Sequence, residues 1–181
     1  MDLSFRHDLW WARLPRSPGD AGRIELCVVR PERGQRVVVS ELIVEAGLGV
    51  VGDRWRADPE RTPGTEVALI NAHVARSVAR DVTHAGQTGD NLHVDLNLSE
   101  ANLPVGTRLL CDGVVLEVSP AIHRPCRTFH DRFGKTAAQR VARANRRGLR
   151  GRGVLCSVLA GGVLRTGALL TVARPPHPSA Q

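Results

Sequence analysis

Arg108-Leu109-Leu110-Cys111-Asp112-Gly113-Val114-Val115-Leu116-Glu117-Val118-Ser119 decides how the chain folds. Two apolar runs flank Asp-Gly. A two-residue type I′ turn needs positive φ at both central positions, and Asp-Gly meets that need. The stretch therefore predicts an antiparallel hairpin. Its second strand runs out through Pro120 into His123-Arg124-Pro125-Cys126-Arg127-Thr128-Phe129. This segment reads as a loop, with Arg124 and Arg127 flanking Cys126. Nearby cations favour a thiolate, the form that attacks electrophiles or binds soft metals. A free cysteine is more often a small apolar residue packed under a loop. Both readings stand at this point.

Upstream, the same β character recurs. Residues 1–20 hold an apolar helix around Phe5 to Leu14, closed by Pro15 and Ser17-Pro18-Gly19-Asp20. Arg23 to Val29 reads as a strand. Arg36 to Ser40 and Leu42 to Val44 continue in extended form, rich in β-branched residues. Gly47-Leu48-Gly49-Val50-Val51-Gly52-Asp53-Arg54-Trp55 is a glycine-punctuated loop. It lacks the Gly-Lys-Ser/Thr of a P-loop. Val67 to Ile70 is a short strand, and Asn71 caps a helix from Ala72 to Arg80. In Leu92-His93-Val94-Asp95-Leu96, alternation turns the aliphatics inward and leaves His93 and Asp95 facing solvent.

Downstream, Thr136-Ala137-Ala138-Gln139 has the form of a capping box that opens a helix ending near Gly148. Helical periodicity puts Arg140, Arg143, Arg147 and Arg150 on one side of it. Val154 to Leu159, a Gly161-Gly162 turn and Leu169 to Val172 close the fold. The Pro-rich end from Pro175 reads as disordered. The organisation expected is a helical extension over 1–20, one domain over 21–173 and a tail over 174–181. That domain is mainly β with a few short helices, forming one closed or strongly curved sheet.

The 181 residues suffice for one sizeable core, and 42% of them are hydrophobic, as in an ordinary globule. No apolar run approaches the ~18 residues of a membrane span. No secretory signal opens the chain. The four cysteines are then expected as free thiols in a reducing compartment, the cytoplasm. The net charge is +7, carried almost wholly by arginine, with Lys135 the single lysine. Arginine-rich surfaces attract phosphates and other anions. Nucleic acid is not the expected partner: aromatics are only 3%, tyrosine is absent, and stacking platforms are correspondingly scarce.

Several motifs occur together in a set order. They are Gly49-Val50-Val51-Gly52-Asp53-Arg54-Trp55, Gly89-Asp90-Asn91-Leu92, Leu103-Pro104-Val105-Gly106-Thr107-Arg108-Leu109, His123-Arg124-Pro125-Cys126 and Arg152-Gly153-Val154. In that order they resemble MOSC domains, the C-terminal module of molybdenum cofactor sulfurases, and most of all the compact stand-alone bacterial members. The resemblance runs from about Arg23 to Val172. It implies a MOSC-type β-barrel-like fold and one functional cysteine, Cys126, which ligates molybdenum or carries sulfur as a persulfide. It further implies binding of the molybdenum cofactor (molybdopterin), with arginines on the pterin phosphate. The expected cofactor residues are Arg54, Asp90, Asn91, His123, Arg124 and Arg127. The expected partners are that cofactor or a small-molecule substrate, with a sulfur donor or redox partner protein.

The chain departs from the pattern in two places. It is too short for the aminotransferase-like sulfurase domain, and Lys135 sits just before the helix cap, so pyridoxal phosphate is not expected. The segment from Arg56 to Thr65, with Pro59, Pro63 and a single Gly64, differs from that of relatives that reduce N-hydroxylated compounds. Sulfur transfer and such a reduction are the two activities the resemblance leaves open. Two other readings compete with it. One is a non-catalytic anion- or nucleic-acid-binding module on the Arg140 to Arg150 stripe. The other is a zinc site from His123, Cys126 and His130.

Overall fold

The computed structural model describes residues 9–79 and 82–174. Residues 9–12 are helical. The rest of the expected N-terminal helix before residue 9, and the tail from Pro175, lie outside the described residues. The elements in order are β1 (Ala21–Val29), β2 (Val37–Val39), β3 (Glu41–Glu45), β4 (Gly49–Val50), α1 (Arg54–Ala57), β5 (Val67–Asn71), α2 (Ala72–Ala79), α3 (Val82–Ala85), β6 (Leu92–Asp95), β7 (Arg108–Cys111), β8 (Val114–Val118), α4 (Arg127–Arg146), β9 (Val154–Ala160), β10 (Gly162–Arg165) and β11 (Leu169–Ala173).

The hairpin forms as its turn chemistry requires. Asp112 (φ 47°) and Gly113 (φ 85°) are both left-handed, and Arg108 to Cys111 pair antiparallel with Glu117 to Val114. The sheet then runs β11-β7-β8-β9-β5-β6-β1, and β11 pairs back onto β1. These seven strands close a barrel, which leaves none of them as a sheet edge. Among the described strands only β5 and β6 pair in parallel, because α2 crosses between them. Asn71 starts that helix: its Oδ1 accepts from the backbone N–H groups of His73 (2.9 Å) and Val74 (3.2 Å). A second sheet, β10-β3-β4, lies beside the barrel. The Gly161-Gly162 turn leads directly into β10, whose short, unalternating run gave no strand signal.

Among the described residues, two apolar clusters form the core. One, with Ile24, Leu69, Leu92, Leu116 and Leu170, fills the barrel. The other, with Ile70, Val74, Phe129, Ala137 and Val141, joins the outer wall to α2 and α4. Consecutive β5 residues Leu69 and Ile70 enter different clusters, so this strand is apolar on both faces. The same covering corrects the expectation for His93. It is only 2% exposed, because α2 packs over the face of β6 that alternation assigned to solvent.

The helix after the hairpin also begins earlier than its capping box indicates. It starts at Arg127, with Cys126 at the N-cap, and breaks at Gly134 (φ 79°, ψ 169°). Phe129, Phe133, Ala137 and Val141 recur every four residues across the break, so both segments turn one apolar face to the second cluster. The helix stops before Gly148 (φ 70°) as expected. The arginine stripe is not a single helical face. Arg150 lies beyond the helix and donates to the carbonyls of Leu103 (2.7 Å) and Leu98 (3.4 Å). Arg140 lies over the Trp10 ring at 5.6 Å.

Gly153 (φ 90°) fits against β5 only because it has no Cβ; an added Cβ would stand 1.9 Å from the Leu69 carbonyl oxygen. Gly153→Ala should therefore destabilise the barrel by about 3 kcal/mol or more. Chemical denaturation checks this, and a loss under about 1 kcal/mol would show that β5 and β9 separate without cost.

Candidate functional site

Five loops meet at one side of the barrel. They follow β1, follow β4, precede β6, follow β8 and precede β9. Between them lies a cleft of about 160 Å³ lined by Cys126, His123 and the arginines Arg30, Arg36, Arg54, Arg132 and Arg152, with Thr88 and Gly89 among the remaining wall residues. Cys126 is exposed at its mouth, whereas Cys27, Cys111 and Cys156 are buried. Burial pushes the Cys156 thiol up to about 12, and raises those of Cys27 and Cys111 as well. These three are packing residues.

Two buried carboxylates hold two of the arginines. Asp90 is fully buried, and both its oxygens accept from Arg152 Nη1 (2.6 and 2.7 Å). Arg152 Nη2 donates to the Thr88 carbonyl (3.0 Å), and its guanidinium lies 4.9 Å from the Phe129 ring centre. Asp53 accepts from Arg30 Nε (2.7 Å) and Nη2 (3.1 Å), from the Arg30 and Trp55 backbone N–H groups, and from Asn91 Nδ2 (2.9 Å). Burial alone would raise both carboxyls. The Arg152 charge beside Asp90, and the Arg30 hydrogen bond and charge beside Asp53, outweigh it and hold both below the usual carboxylate value. Both stay ionised at neutral pH.

The other three arginines have no such balance. Among the described residues, Arg36, Arg54 and Arg132 have no carboxylate partner within ion-pair distance. Arg132 donates to the carbonyls of Gln87 (3.0 Å) and Gly34 (2.9 Å). Arg36 is pushed down to about 10, first by burial and then by Arg132, Arg30 and Arg54. Arg36 Nε, Arg152 Nε and His123 Nδ1 are buried with no hydrogen-bond partner. His123 Nδ1 stands 3.5 Å from Asp90 Oδ1 but makes no hydrogen bond to it. Burial, then Arg152, lowers His123 to about 3, so the ring is neutral at physiological pH. Its carbonyl accepts from Asn145 Nδ2 (2.8 Å). The result is an exposed thiol beside a concentration of uncompensated positive charge, an arrangement suited to anions.

The expected site residues divide into three groups. Cys126, Arg54 and His123 share the cleft. Asp90 and Asn91 lie beneath it. Asn91 Nδ2 donates to Asp53 and to the Val28 carbonyl, and its Oδ1 accepts from Ala68 N, so its side chain braces the strands. Arg124 and Arg127 do not line the cleft. The Arg127 side chain is 96% exposed and pairs loosely with Asp131 at 3.9 Å, because the first helical turn carries it outward. Arg30, Arg36, Arg132 and Arg152 were not singled out by the sequence. For Arg152 the signal was its place in a motif; for the others no local pattern existed. The zinc reading is not supported, since no group of three or more His, Cys, Asp or Glu side chains among the described residues is placed to hold a metal ion. No helix among those residues is long and apolar enough to cross a membrane.

The sequence that builds this barrel and cleft matches the model of a known family. The chain belongs to it: the MOSC domain model matches residues 61–171, more than half of the chain. The family is one of molybdenum-cofactor-related domains. Among solved structures, the YUAD protein from Bacillus subtilis is similar with a TM-score of 0.60 and 15% identity, over 84% of this chain and 95% of that one. YiiM from Escherichia coli gives 0.56 and 23%, over 84% and 70%. YiiM from Geobacillus stearothermophilus gives 0.57 and 16%, over 87% and 78%. At these identities the likeness is one of fold. No curated protein sequence matches the chain.

Two measurements check the site. Iodoacetamide should label Cys126 well ahead of Cys27, Cys111 and Cys156 in the folded protein, and peptide mapping showing equal rates would contradict the exposure described. Stability should fall as pH drops from about 6.5. Burial lowers His93 to about 4 and His123 to about 3, from 6.5 when unfolded. Between those values the unfolded chain binds more protons, which weakens folding by on the order of 1 kcal/mol per pH unit for each histidine. Denaturant midpoints at pH 7 and pH 5 should differ accordingly, and His93→Gln should flatten the dependence.

Proposed function

We propose that this protein binds the molybdenum cofactor at the arginine-lined cleft, with Cys126 as the sulfur that ligates the metal or carries a terminal sulfur to it. The observation behind this reading is the exposed Cys126 thiol beside Arg36, Arg54 and Arg132, none of which has a carboxylate partner among the described residues. A thiolate is a soft ligand suited to molybdenum. Guanidinium groups recognise phosphate oxygens through paired, charge-assisted donors. The buried, unpartnered Arg36 Nε and Arg152 Nε add donors that an anionic group would satisfy.

The size of the site is consistent with this. The cleft takes a metal centre or a phosphate, while a drug-sized organic ligand needs roughly 300 Å³ or more. A neighbouring cavity of about 400 Å³, walled by Pro104, Val105, Pro120 and Ile122, shares His123 with the cleft. Since no cluster of protein ligands surrounds Cys126 among the described residues, the remaining metal ligands would come from the organic part of the cofactor. Bound there, the metal would supply the redox or sulfur-transfer chemistry. The chain's own residues would anchor it: Cys126 through sulfur, and Arg36, Arg54 and Arg132 through its anionic groups. Arg152 and Arg30, fixed by Asp90 and Asp53, keep the walls in place.

Metal and pterin analysis of protein purified anaerobically, from a host shown to make the cofactor, tests the reading. Molybdenum and pterin are expected together, with molybdenum lost from Cys126→Ser and pterin retention lowered about tenfold in Arg36→Ala. Absence of both from the unaltered protein would falsify it.

A further inference from the structure

We propose that Cys126 receives its sulfur directly from a small dianionic sulfane donor of the thiosulfate type, held by Arg36, Arg54 and Arg132. The proposal rests on the sulfur-carrier reading of Cys126 and names the donor for it. The sequence has one lysine, Lys135, and it is exposed on the helix after Cys126. No lysine lines the cleft, so its own lining cannot form the Schiff base needed to draw sulfur from an amino acid. At this cleft the sulfur would arrive already activated, and the cleft's size and charge define a donor that fits.

Its volume of about 160 Å³ corresponds to about five waters, room for a compact tetrahedral anion beside the thiol. The charge matches a dianion. Three guanidinium groups without carboxylates crowd one another, and burial with that crowding brings Arg36 down to about 10. Filling the cleft with two negative charges relieves the repulsion. Arg152 supplies the wall independently of Cys126: its side chain is 5% exposed, and its Nε has no partner. His123 is neutral and adds no competing charge.

The chemistry balances without an oxidant or reductant. The Cys126 thiolate attacks the outer, sulfane sulfur of thiosulfate. A new S–S bond forms, the donor's S–S bond breaks, and its electron pair leaves with sulfite. One thiolate and one dianion become one persulfide anion and one sulfite dianion, so charge is conserved. No proton moves. The arginines hold the oxygens throughout, which stabilises sulfite as the leaving group.

Incubation of the purified protein with thiosulfate tests this. The Cys126 peptide should gain one sulfur atom by mass spectrometry, with one equivalent of sulfite released, and prior alkylation should abolish both. Arg54→Ala is the informative variant. Its side chain makes no hydrogen bond among the described residues, so circular dichroism should show an unchanged fold. The thiosulfate concentration for half-maximal loading should rise about tenfold. A neutral organic trisulfide serves as the control electrophile: Cys126 should form the mixed disulfide with it, releasing the organic persulfide, to the same extent in both proteins. Failure of thiosulfate to add sulfur, or equal thiosulfate loading of the variant, overturns the proposal. If molybdenum and pterin still co-purify, the proposal on the donor has failed alone. If thiosulfate loads Cys126 in protein that never retains molybdenum, the cofactor reading has failed alone.

Discussion

Asp90 has no access to water, and an ionised carboxylate so placed must find its compensation within the protein. Arg152 provides it through one doubly shared nitrogen, while the other Nη reaches the Thr88 carbonyl. Loss of one partner from a buried pair costs roughly 3–5 kcal/mol, because the survivor is stranded. The pair therefore fixes more than itself. The Arg152 backbone N–H donates to Asn145 Oδ1 (3.0 Å), and Asn145 Nδ2 donates to the His123 carbonyl. From His123 the chain needs only two residues to reach Cys126. The position of the exposed sulfur thus follows from a carboxylate that never meets solvent. Phe129, under the Arg152 guanidinium, secures the other side of the same segment.

Arg30 and Asp53 repeat the device on the opposite wall. Asp53 does so while capping α1 and receiving the Asn91 amide. Both pairs consume a positive charge as they build the wall. That separates two uses of arginine within one cleft. Arg30 and Arg152 are structural, each matched by an ionised carboxylate. Among the described residues Arg36, Arg54 and Arg132 remain unmatched, and they leave the cleft positively charged. A cleft with every arginine matched would be equally rigid and electrostatically indifferent to anions.

This division explains what could be read from the sequence. The hairpin was legible because Asp112 and Gly113 carry the whole requirement of the turn in two adjacent residues. Cys126 was legible because its segment follows that hairpin. The neighbouring charges that drew attention to it, Arg124 and Arg127, are not among the residues that line the cleft. Cations near the thiol in space come from the loops after β1 and β4, from the second turn of α4 and from the residue before Gly153. Nothing local distinguishes Arg36 or Arg132 among so many arginines. His93 was misplaced for a related reason. Alternation assigns a strand one wet face, and only the α2 crossover, a tertiary feature, removes it. The Gly134 break was hidden because the four-residue apolar spacing continues across it.

The barrel's closure decides where the cleft can be. β1 sits between β6 and β11 and is the strand that completes the ring. Arg30 follows directly at its end, and Arg36 lies in the turn beyond. Both precede residue 61, where the family match begins, as does Arg54. Residues within the match therefore supply Cys126, His123, Arg132 and the Asp90–Arg152 pair, while residues before it supply Arg54, Arg36 and the Arg30–Asp53 pair. Neither part encloses the cleft alone. The long-range pairing of β1 with β6 and β11 joins them, so closing the barrel also brings the two parts of the arginine-lined wall together. A change that loosened β1 would be felt at Cys126 through the wall, without touching the cysteine or its loop.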